Sequence, residues 1–140
     1  MRRAITLGTF DPLHSGHLGL FHQCRRMADE LVVAVNSDAF ISTYRGKPPL
    51  MAQTHRMAVI SELRTVDNVV LNTGGSAQAT LILESKADLL VIGDDWAKRD
   101  YYTQLGITQR WLDVNRIQLV YVPRTGDWSS TAIKNAHGEA

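Results

Sequence analysis

Five short apolar segments alternate along the chain with segments of helical periodicity, and this alternation constrains the fold more than any other feature. The apolar segments comprise residues 5–7, 31–35, 69–71, 89–92 and 117–122. Helices are predicted near residues 16–28, 53–63, 76–84 and 108–114, with a last one after Ser129. Strands that are apolar on both faces and separated by helices form parallel sheets covered on each side. The pattern therefore predicts an α/β fold: a single, doubly wound (Rossmann-like), parallel five-stranded sheet with helices on both faces.

The length of 140 residues suits one domain covering residues 1–140. The longest predicted irregular pieces are residues 36–51 and 94–106, and long loops in compact domains are often binding lids. Doubly wound sheets bind ligands at the carboxyl ends of their strands, near the point where the strand order reverses. The polar clusters of this chain follow apolar segments, so we expect the fold to collect them at that edge.

The composition is that of a soluble protein, with 44% hydrophobic and 21% charged residues and a formal net charge of +1. No basic block is present, so we expect no nucleic-acid partner, and no apolar run approaches the length of a membrane span. The single cysteine, Cys24, cannot form an internal disulfide, which suits a reducing compartment. These features together predict a cytoplasmic protein without membrane contact.

The segment between the first strand and the first helix, residues 8–17, reads Gly-Thr-Phe-Asp-Pro-Leu-His-Ser-Gly-His. A turn from a strand into a helix directs backbone N–H groups and the positive end of the helix dipole at a phosphate. Gly8 and Gly16 permit close approach of a ligand, and His14 and His17 lie three residues apart on one face. Two imidazoles there suit phosphate chemistry. Metal ligation and simple capping of the helix are the alternatives; a closed zinc site needs four donors, and the chain has one Cys.

Two cations precede or open the helix that follows the second strand. Lys47 lies on a loop next to two prolines, where it either reaches a phosphate or is simply solvated. Arg56 lies in the first turn of a predicted helix, where a cation is electrostatically unfavourable, and a bound anion would offset that cost.

Polar residues also follow the fourth and fifth strands. Asp94 and Asp95 precede Trp96, and adjacent carboxylates at a strand end can ligate Mg²⁺, hydrogen-bond a base or ribose, or cap the next helix. After the fifth strand, Arg124 offers a planar fork for phosphate oxygens, and residues 129–131 read Ser-Ser-Thr at a predicted helix start.

Taken together, these motifs resemble a known superfamily. The His-Ser-Gly-His string is similar to the His-x-Gly-His signature of the nucleotidyltransferases, and Gly-Thr-Phe-Asp before it resembles the cytidylyltransferase branch. Gly-Asp-Asp-Trp at 93–96 resembles the enzymes that act on glycerol 3-phosphate, and Arg124-Thr125 followed by Ser and Thr resembles the second superfamily signature. The resemblance touches nearly the whole chain, with four motifs in the expected order.

The resemblance implies transfer of CMP from CTP to a small phosphorylated alcohol, with glycerol 3-phosphate the leading acceptor, CDP-glycerol the product and pyrophosphate released. It implies Mg²⁺ with the nucleoside triphosphate and no metal site formed by the protein. The implied catalytic residues are His14, His17, Lys47 and Arg124. The implied nucleotide-binding residues are Gly8, Thr9, Phe10, Asp11, Gly16, Arg56, Asp94, Trp96, Thr125, Ser129, Ser130 and Thr131. Similarity of residues 64–69 to a subunit contact of the family implies a homodimer.

The acceptor stays open because residues 72–78 contain neither the Trp nor the Lys that glycerol-3-phosphate enzymes carry around this turn. One alternative is an adenylyltransferase of the same superfamily, of the FAD-synthetase or sugar-phosphate type. A second is a nucleotide-binding module without catalysis, and a third is a metal hydrolase.

Overall fold

The computed structural model describes residues 1–93 and 101–122, and its elements alternate between strands and helices as the apolar pattern predicts. The strands are β1 (Arg3–Gly8), β2 (Glu30–Asn36), β3 (Asn68–Asn72), β4 (Leu89–Gly93) and β5 (Gln118–Val122). The helices are α1 (Ser15–Met27), α2 (Asp38–Arg45), α3 (Gln53–Ser61), α4 (Ala77–Glu84), α5 (Tyr101–Leu105) and α6 (Gln109–Val114). The five predicted strands are all present, with boundaries within two residues.

The strands form one parallel sheet in the order β3-β2-β1-β4-β5, which confirms the doubly wound prediction. The chain fills one side of β1 with β2 and β3 and then the other side with β4 and β5. The reversal lies between β1 and β4, the place where such sheets bind ligands at their carboxyl edge.

Side chains of the central strands alternate between two cores because successive residues of a strand point to opposite faces. On one face, Ala4 and Val33 belong to a cluster that includes Phe21 of α1 and Ile60 of α3. On the other face, Ile5 and its neighbours pack with side chains of the remaining helices: Ile82 of α4, Leu105 of α5 and Leu112 of α6. Burial on both faces explains why these strands read as continuous apolar runs rather than as alternating ones.

The prediction that residues 36–51 are irregular is wrong, because α2 occupies Asp38–Arg45. Ser37 caps this helix by accepting from the Phe40 N–H, and Gly46 ends it in the left-handed conformation at φ 78°. Ile41 is the one buried residue of its eight. One buried residue gives no helical periodicity, so the segment could be identified as a helix only from its caps.

The second segment predicted as irregular, residues 94–106, also contains a helix, the short α5. The predicted last helix after Ser129 lies outside the described residues. Within the described ranges, none of the helices is long and apolar enough to cross a membrane.

Candidate active site

His14 and His17 cap helix α1 in a reciprocal arrangement at the carboxyl edge of the sheet. His14 is the N-cap residue, and its Nδ1 accepts from the Gly16 N–H at 3.1 Å. In return, His17 Nδ1 accepts from the His14 N–H at 3.1 Å. The capping alternative is thus confirmed in geometry, and it does not compete with the chemical interpretation, because capping uses one nitrogen of each ring.

The hydrogen bonds at Nδ1 determine which tautomer each neutral imidazole adopts. A ring nitrogen that accepts from a backbone N–H carries no proton, so the ring proton lies on Nε2. Each imidazole therefore accepts from the backbone at one nitrogen and donates at the other. The helix N-terminus therefore presents two Nε2–H donors in addition to its backbone N–H groups. Such donors suit the oxygens of a phosphate.

The environment of His17 keeps its ring neutral. Burial of His17 and the neighbouring His14 lower the pKa of His17 from 6.5 to about 3. Burial is the larger cause, because a charged imidazole loses hydration there, and the second imidazole disfavours a positive charge further. At neutral pH His17 is thus a hydrogen-bond donor without net charge.

The Phe10 ring packs against the imidazole of His17. The two ring centroids are 5.0 Å apart in an edge-to-face arrangement, and Phe10 also contacts Phe21 of α1 at 5.5 Å. The Phe10 backbone has a positive φ of 54°, and its ring lies so close to Gly8 that a Cβ there would meet it at 2.7 Å. Gly8 is therefore needed for packing. Phe10 is a buried support for His17, and its predicted role in nucleotide binding stays a prediction.

Asp11, a predicted nucleotide-binding residue, is buried, and its carboxylate accepts hydrogen bonds from the loop after α2. Oδ2 accepts from the Leu50 N–H at 2.8 Å and lies 3.1 Å from Arg45 Nη1. Oδ1 accepts from the Met51 N–H at 2.9 Å. These bonds fix the loop that carries Lys47, which is exposed. Asp11 therefore has a positioning role in the structure, and its direct contact with the nucleotide stays a prediction.

Arg56 has the same kind of role. Its guanidinium, in a side chain only 1% exposed, donates to the carbonyls of Thr9 at 2.8 Å, Asn36 at 2.7 Å and Met51 at 2.8 Å. Nη2 pairs with Asp38 Oδ1 at 2.7 Å. The anion expected to offset the cation at the start of α3 is thus the carboxylate of Asp38. Arg56 thus bridges the ends of β1 and β2, and its predicted contact with the nucleotide stays a prediction.

Several residues at this edge were not identified from the sequence as site residues. Asn36 and Asn72 end β2 and β3, Tyr44 lies on α2 and Gln78 on α4. Their side chains are hydrogen-bonded to one another and to Thr9. The available signal was an Asn at the end of each of two apolar strands.

The other predicted site residues lie beyond the described ranges. β4 ends at Gly93 and β5 at Val122, and these two residues are register partners at the carboxyl edge of the sheet. Asp94, Trp96, Arg124, Thr125, Ser129, Ser130 and Thr131 all follow these ends in sequence and lie outside the described residues. Their assignments stay predictions.

The family model described as "Cytidylyltransferase-like" matches residues 5–136 of the chain. The chain belongs to the cytidylyltransferase-like family. The glycerol-3-phosphate cytidylyltransferase of Bacillus subtilis is 31% identical over 134 residues, which cover 96% of this chain and 95% of that protein. An FAD synthase of Korarchaeum cryptofilum is also 31% identical, over 94% of this chain and 88% of its own length.

The crystal structure of a lipopolysaccharide core biosynthesis protein from Thermoplasma volcanium superposes with a TM-score of 0.70. It is 32% identical and covers 90% of this chain and 99% of its own. Family and relatives together identify the protein as a nucleotidyltransferase enzyme. The alternatives of a module without catalysis and of a metal hydrolase are set aside. The chain is equally identical to a glycerol-3-phosphate cytidylyltransferase and to an FAD synthase, so sequence identity does not determine the substrate.

Proposed function

We propose that the protein transfers CMP from CTP to a small phosphorylated alcohol and releases pyrophosphate, with glycerol 3-phosphate as the leading acceptor and CDP-glycerol as the product. The observation that carries the proposal is the pair of imidazoles at the start of α1, whose Nε2–H groups suit a phosphate at the reversal between β1 and β4. The relative from Bacillus subtilis, named for this reaction, supports CTP and glycerol 3-phosphate.

The reaction needs positioning and charge neutralisation more than proton transfer. A phosphate oxygen of the acceptor attacks the α-phosphorus of the nucleotide, and the new P–O bond forms as the bond to the bridging oxygen of the β-phosphate breaks. The electron pair of the broken bond leaves with pyrophosphate. His14 and His17 would donate to the α-phosphate and to the leaving group, where negative charge develops. Lys47 and Arg124 would neutralise the remaining phosphates.

Mg²⁺ would enter with the triphosphate in this proposal and supply charge neutralisation on its oxygens. Within the described residues no group of three His, Cys, Asp or Glu side chains is arranged to hold a metal ion. Asp11, the carboxylate nearest in sequence to the His pair, accepts hydrogen bonds from the loop at both of its oxygens. In this proposal the metal is brought by the nucleotide.

A second candidate is adenylyl transfer from ATP to FMN or to a sugar phosphate. The FAD synthase relative supports it with identity equal to that of the cytidylyltransferase. The segment 72–78, which lacks Trp and Lys, also favours an acceptor other than glycerol 3-phosphate. Both candidates use the same imidazole pair, so the base and the acceptor distinguish them.

We propose that the protein is cytoplasmic and forms a homodimer. The homodimer is proposed on the resemblance of residues 64–69 to a subunit contact of the family. Within the chain, Asp67 of this segment accepts from the Leu31 N–H at 2.8 Å and pairs with Arg25. Light scattering of the purified protein, with Arg64→Ala as the interface variant, would test the assembly.

The function is tested by measuring pyrophosphate release from each of the four nucleoside triphosphates with Mg²⁺. The acceptor panel contains glycerol 3-phosphate, phosphoethanolamine, phosphocholine, ribitol phosphate, heptose phosphate and FMN. Turnover with CTP and a small phosphoalcohol is the expected result. Turnover with ATP alone would replace the proposal with the adenylyl alternative, and no turnover on any pair would overturn both.

A further inference from the structure

A chain of buried side-chain amides runs along the carboxyl edge of the sheet from β3 to β1. Asn72 Nδ2 donates to Asn36 Oδ1 at 2.9 Å and to Gln78 Oε1 at 3.1 Å. Asn36 Nδ2 in turn donates to Thr9 Oγ1 at 3.1 Å and to the Tyr44 hydroxyl at 3.4 Å. Asn36, Asn72 and Gln78 are buried. A buried polar group destabilises the folded protein unless it is hydrogen-bonded.

The direction of every hydrogen bond in this chain is determined at its backbone ends. The Gly74 N–H can only donate, and it donates to Asn72 Oδ1 at 3.1 Å. Asn72 must therefore present its NH₂ group to Asn36, which accepts through its oxygen and keeps its own NH₂ for the two hydroxyls. At the other end, Gln78 Nε2 donates to the carbonyl of Gln104 in α5 at 2.7 Å. Rotating any one amide would place donor against donor.

The Thr9 and Tyr44 hydroxyls end this chain, and a count of their protons shows what they offer. The two oxygens are hydrogen-bonded to each other, and both accept from Asn36. Of the two hydroxyl protons, one lies in the bond between the oxygens. The other has no acceptor within the trio, whichever oxygen donates. The hydroxyl pair therefore presents one O–H donor, and a ligand that supplies a lone pair would complete it.

The pair lies at the carboxyl ends of β1 and β2, on one side of the reversal between β1 and β4. Thr9 follows β1, and Tyr44 lies on α2 beside the end of β2. β4 and β5 lie on the other side of β1, and the residues proposed to hold the nucleoside and the outer phosphates, Asp94 and Arg124, come after these strands in sequence. The Tyr44 side chain is 48% exposed, so a ligand can reach its edge of the pair.

We propose that the hydroxyl pair of Thr9 and Tyr44 binds a non-bridging phosphate oxygen of the acceptor, and that the amides of Asn36, Asn72 and Gln78 are positioning residues that keep the pair in donor orientation. This inference rests on the proposed function and assigns Thr9 to the acceptor instead of the nucleotide. It takes a phosphomonoester as its ligand class, because a phosphate oxygen accepts and does not donate.

The test compares the wild type with Tyr44→Phe, which removes the hydroxyl and keeps the ring. Tyr102→Phe is the matched control, because the Tyr102 hydroxyl donates to Gln109 in α6 at 2.7 Å, away from Thr9. With the best acceptor of the panel, Tyr44→Phe should raise the acceptor KM about tenfold, the loss of one hydrogen bond to a charged group. The KM for the nucleotide should stay within about twofold of the wild-type value. A rise in nucleotide KM instead, or an unchanged acceptor KM, would overturn the inference.

A binding measurement separates this inference from the proposed function. Inorganic phosphate is titrated by calorimetry into the protein saturated with a non-hydrolysable nucleotide analogue. Tyr44→Phe should weaken phosphate binding about tenfold, whereas Tyr102→Phe should leave it unchanged. If the wild type turns over no acceptor but phosphate binding depends on Tyr44, the proposed function fails and the subsite stands. If turnover occurs and neither acceptor KM nor phosphate binding responds to Tyr44, the subsite fails and the function stands.

Discussion

The imidazole rings of His14 and His17 are stacked, with their centroids 3.7 Å apart and an angle of 25° between their planes. This contact and the edge of Phe10 hold His17 in place without using its Nε2–H group. Preorganised donors contribute most to catalysis when they need no reorganisation as charge develops. The stack is therefore best understood as the device that fixes the direction of two donors.

Replacing His17 by Ala should lower kcat about 10²- to 10³-fold, the usual cost of removing one donor to a developing charge. Nucleotide binding should weaken only a few-fold, because the interaction is strongest in the transition state. Steady-state kinetics and calorimetric titration of the nucleotide measure the two effects. His22→Ala is the matched control, since His22 is exposed on the same helix. Normal turnover of His17→Ala would remove His17 from the mechanism.

The low pKa of His17 also predicts a pH dependence of stability. The folded protein keeps His17 unprotonated down to about pH 3, whereas the unfolded chain takes up a proton near pH 6.5. Unfolding is then accompanied by proton uptake between these values, so the free energy of unfolding falls as the pH decreases from 6.5 towards 3. The slope from this one group is at most about 1.4 kcal/mol per pH unit.

Urea unfolding of the wild type and His17→Gln at several pH values between 4 and 7 measures this contribution. The free energy of unfolding should depend less steeply on pH in the variant than in the wild type, by about 1 kcal/mol per pH unit over this range. His22→Gln, on the exposed face of α1, should keep the wild-type slope. Equal slopes for the wild type and His17→Gln would show that His17 titrates alike in the folded and unfolded chain.

The sequence predicts the sheet well because its physical signal is strong. Ile5, Val33 and Val91 are buried within strands that are covered on both faces, and only a parallel sheet between helices provides such an environment. The motif with His14 and His17 indicated the family equally well, because glycines and histidines at this spacing after a strand are a specific combination. Local pattern and chemistry agreed at these places.

The supporting contacts could not be predicted because they join residues far apart in sequence. Arg56 donates to the carbonyl of Thr9, and Asp11 accepts from the N–H of Met51; neither contact has a local signature. A charged side chain near a phosphate motif favours a ligand role when only the sequence is known. Burial favours the structural role for both residues, since Arg56 is 2% exposed and Asp11 is fully buried.

Arg56→Lys should destabilise the protein by about 3 kcal/mol, because an ammonium group cannot span three carbonyls and the Asp38 carboxylate at once. Chemical denaturation at pH 7 measures the change, and Arg110→Lys on α6, which is exposed, is the control. If Arg56 instead served mainly as a phosphate ligand, the variant would keep its stability and lose nucleotide affinity. That combination would support the direct role.

The turn after β3 provides a prediction about α2, because Gly74 packs directly on that helix. A Cβ on Gly74 would lie 2.3 Å from Phe40 Cδ1, and the residue has a φ of +85°. Gly74→Ala should therefore destabilise the protein by about 3 kcal/mol, through the clash and the left-handed backbone together. The shift would also move the Gly74 N–H that orients Asn72, so the acceptor KM should rise with it.

The neighbouring glycine separates the two causes. Gly75 has a φ of +57°, but a Cβ there would meet nothing within 4 Å. Gly75→Ala should cost only about 1 kcal/mol, the backbone term alone. Thermal and urea unfolding of both variants, and of Gly74→Ala combined with Phe40→Ala, measure the difference. If Gly74→Ala destabilises the Phe40→Ala protein less than the wild type, the contact with the Phe40 ring is the cause. If Gly74→Ala and Gly75→Ala destabilise the protein equally, α2 does not constrain the turn.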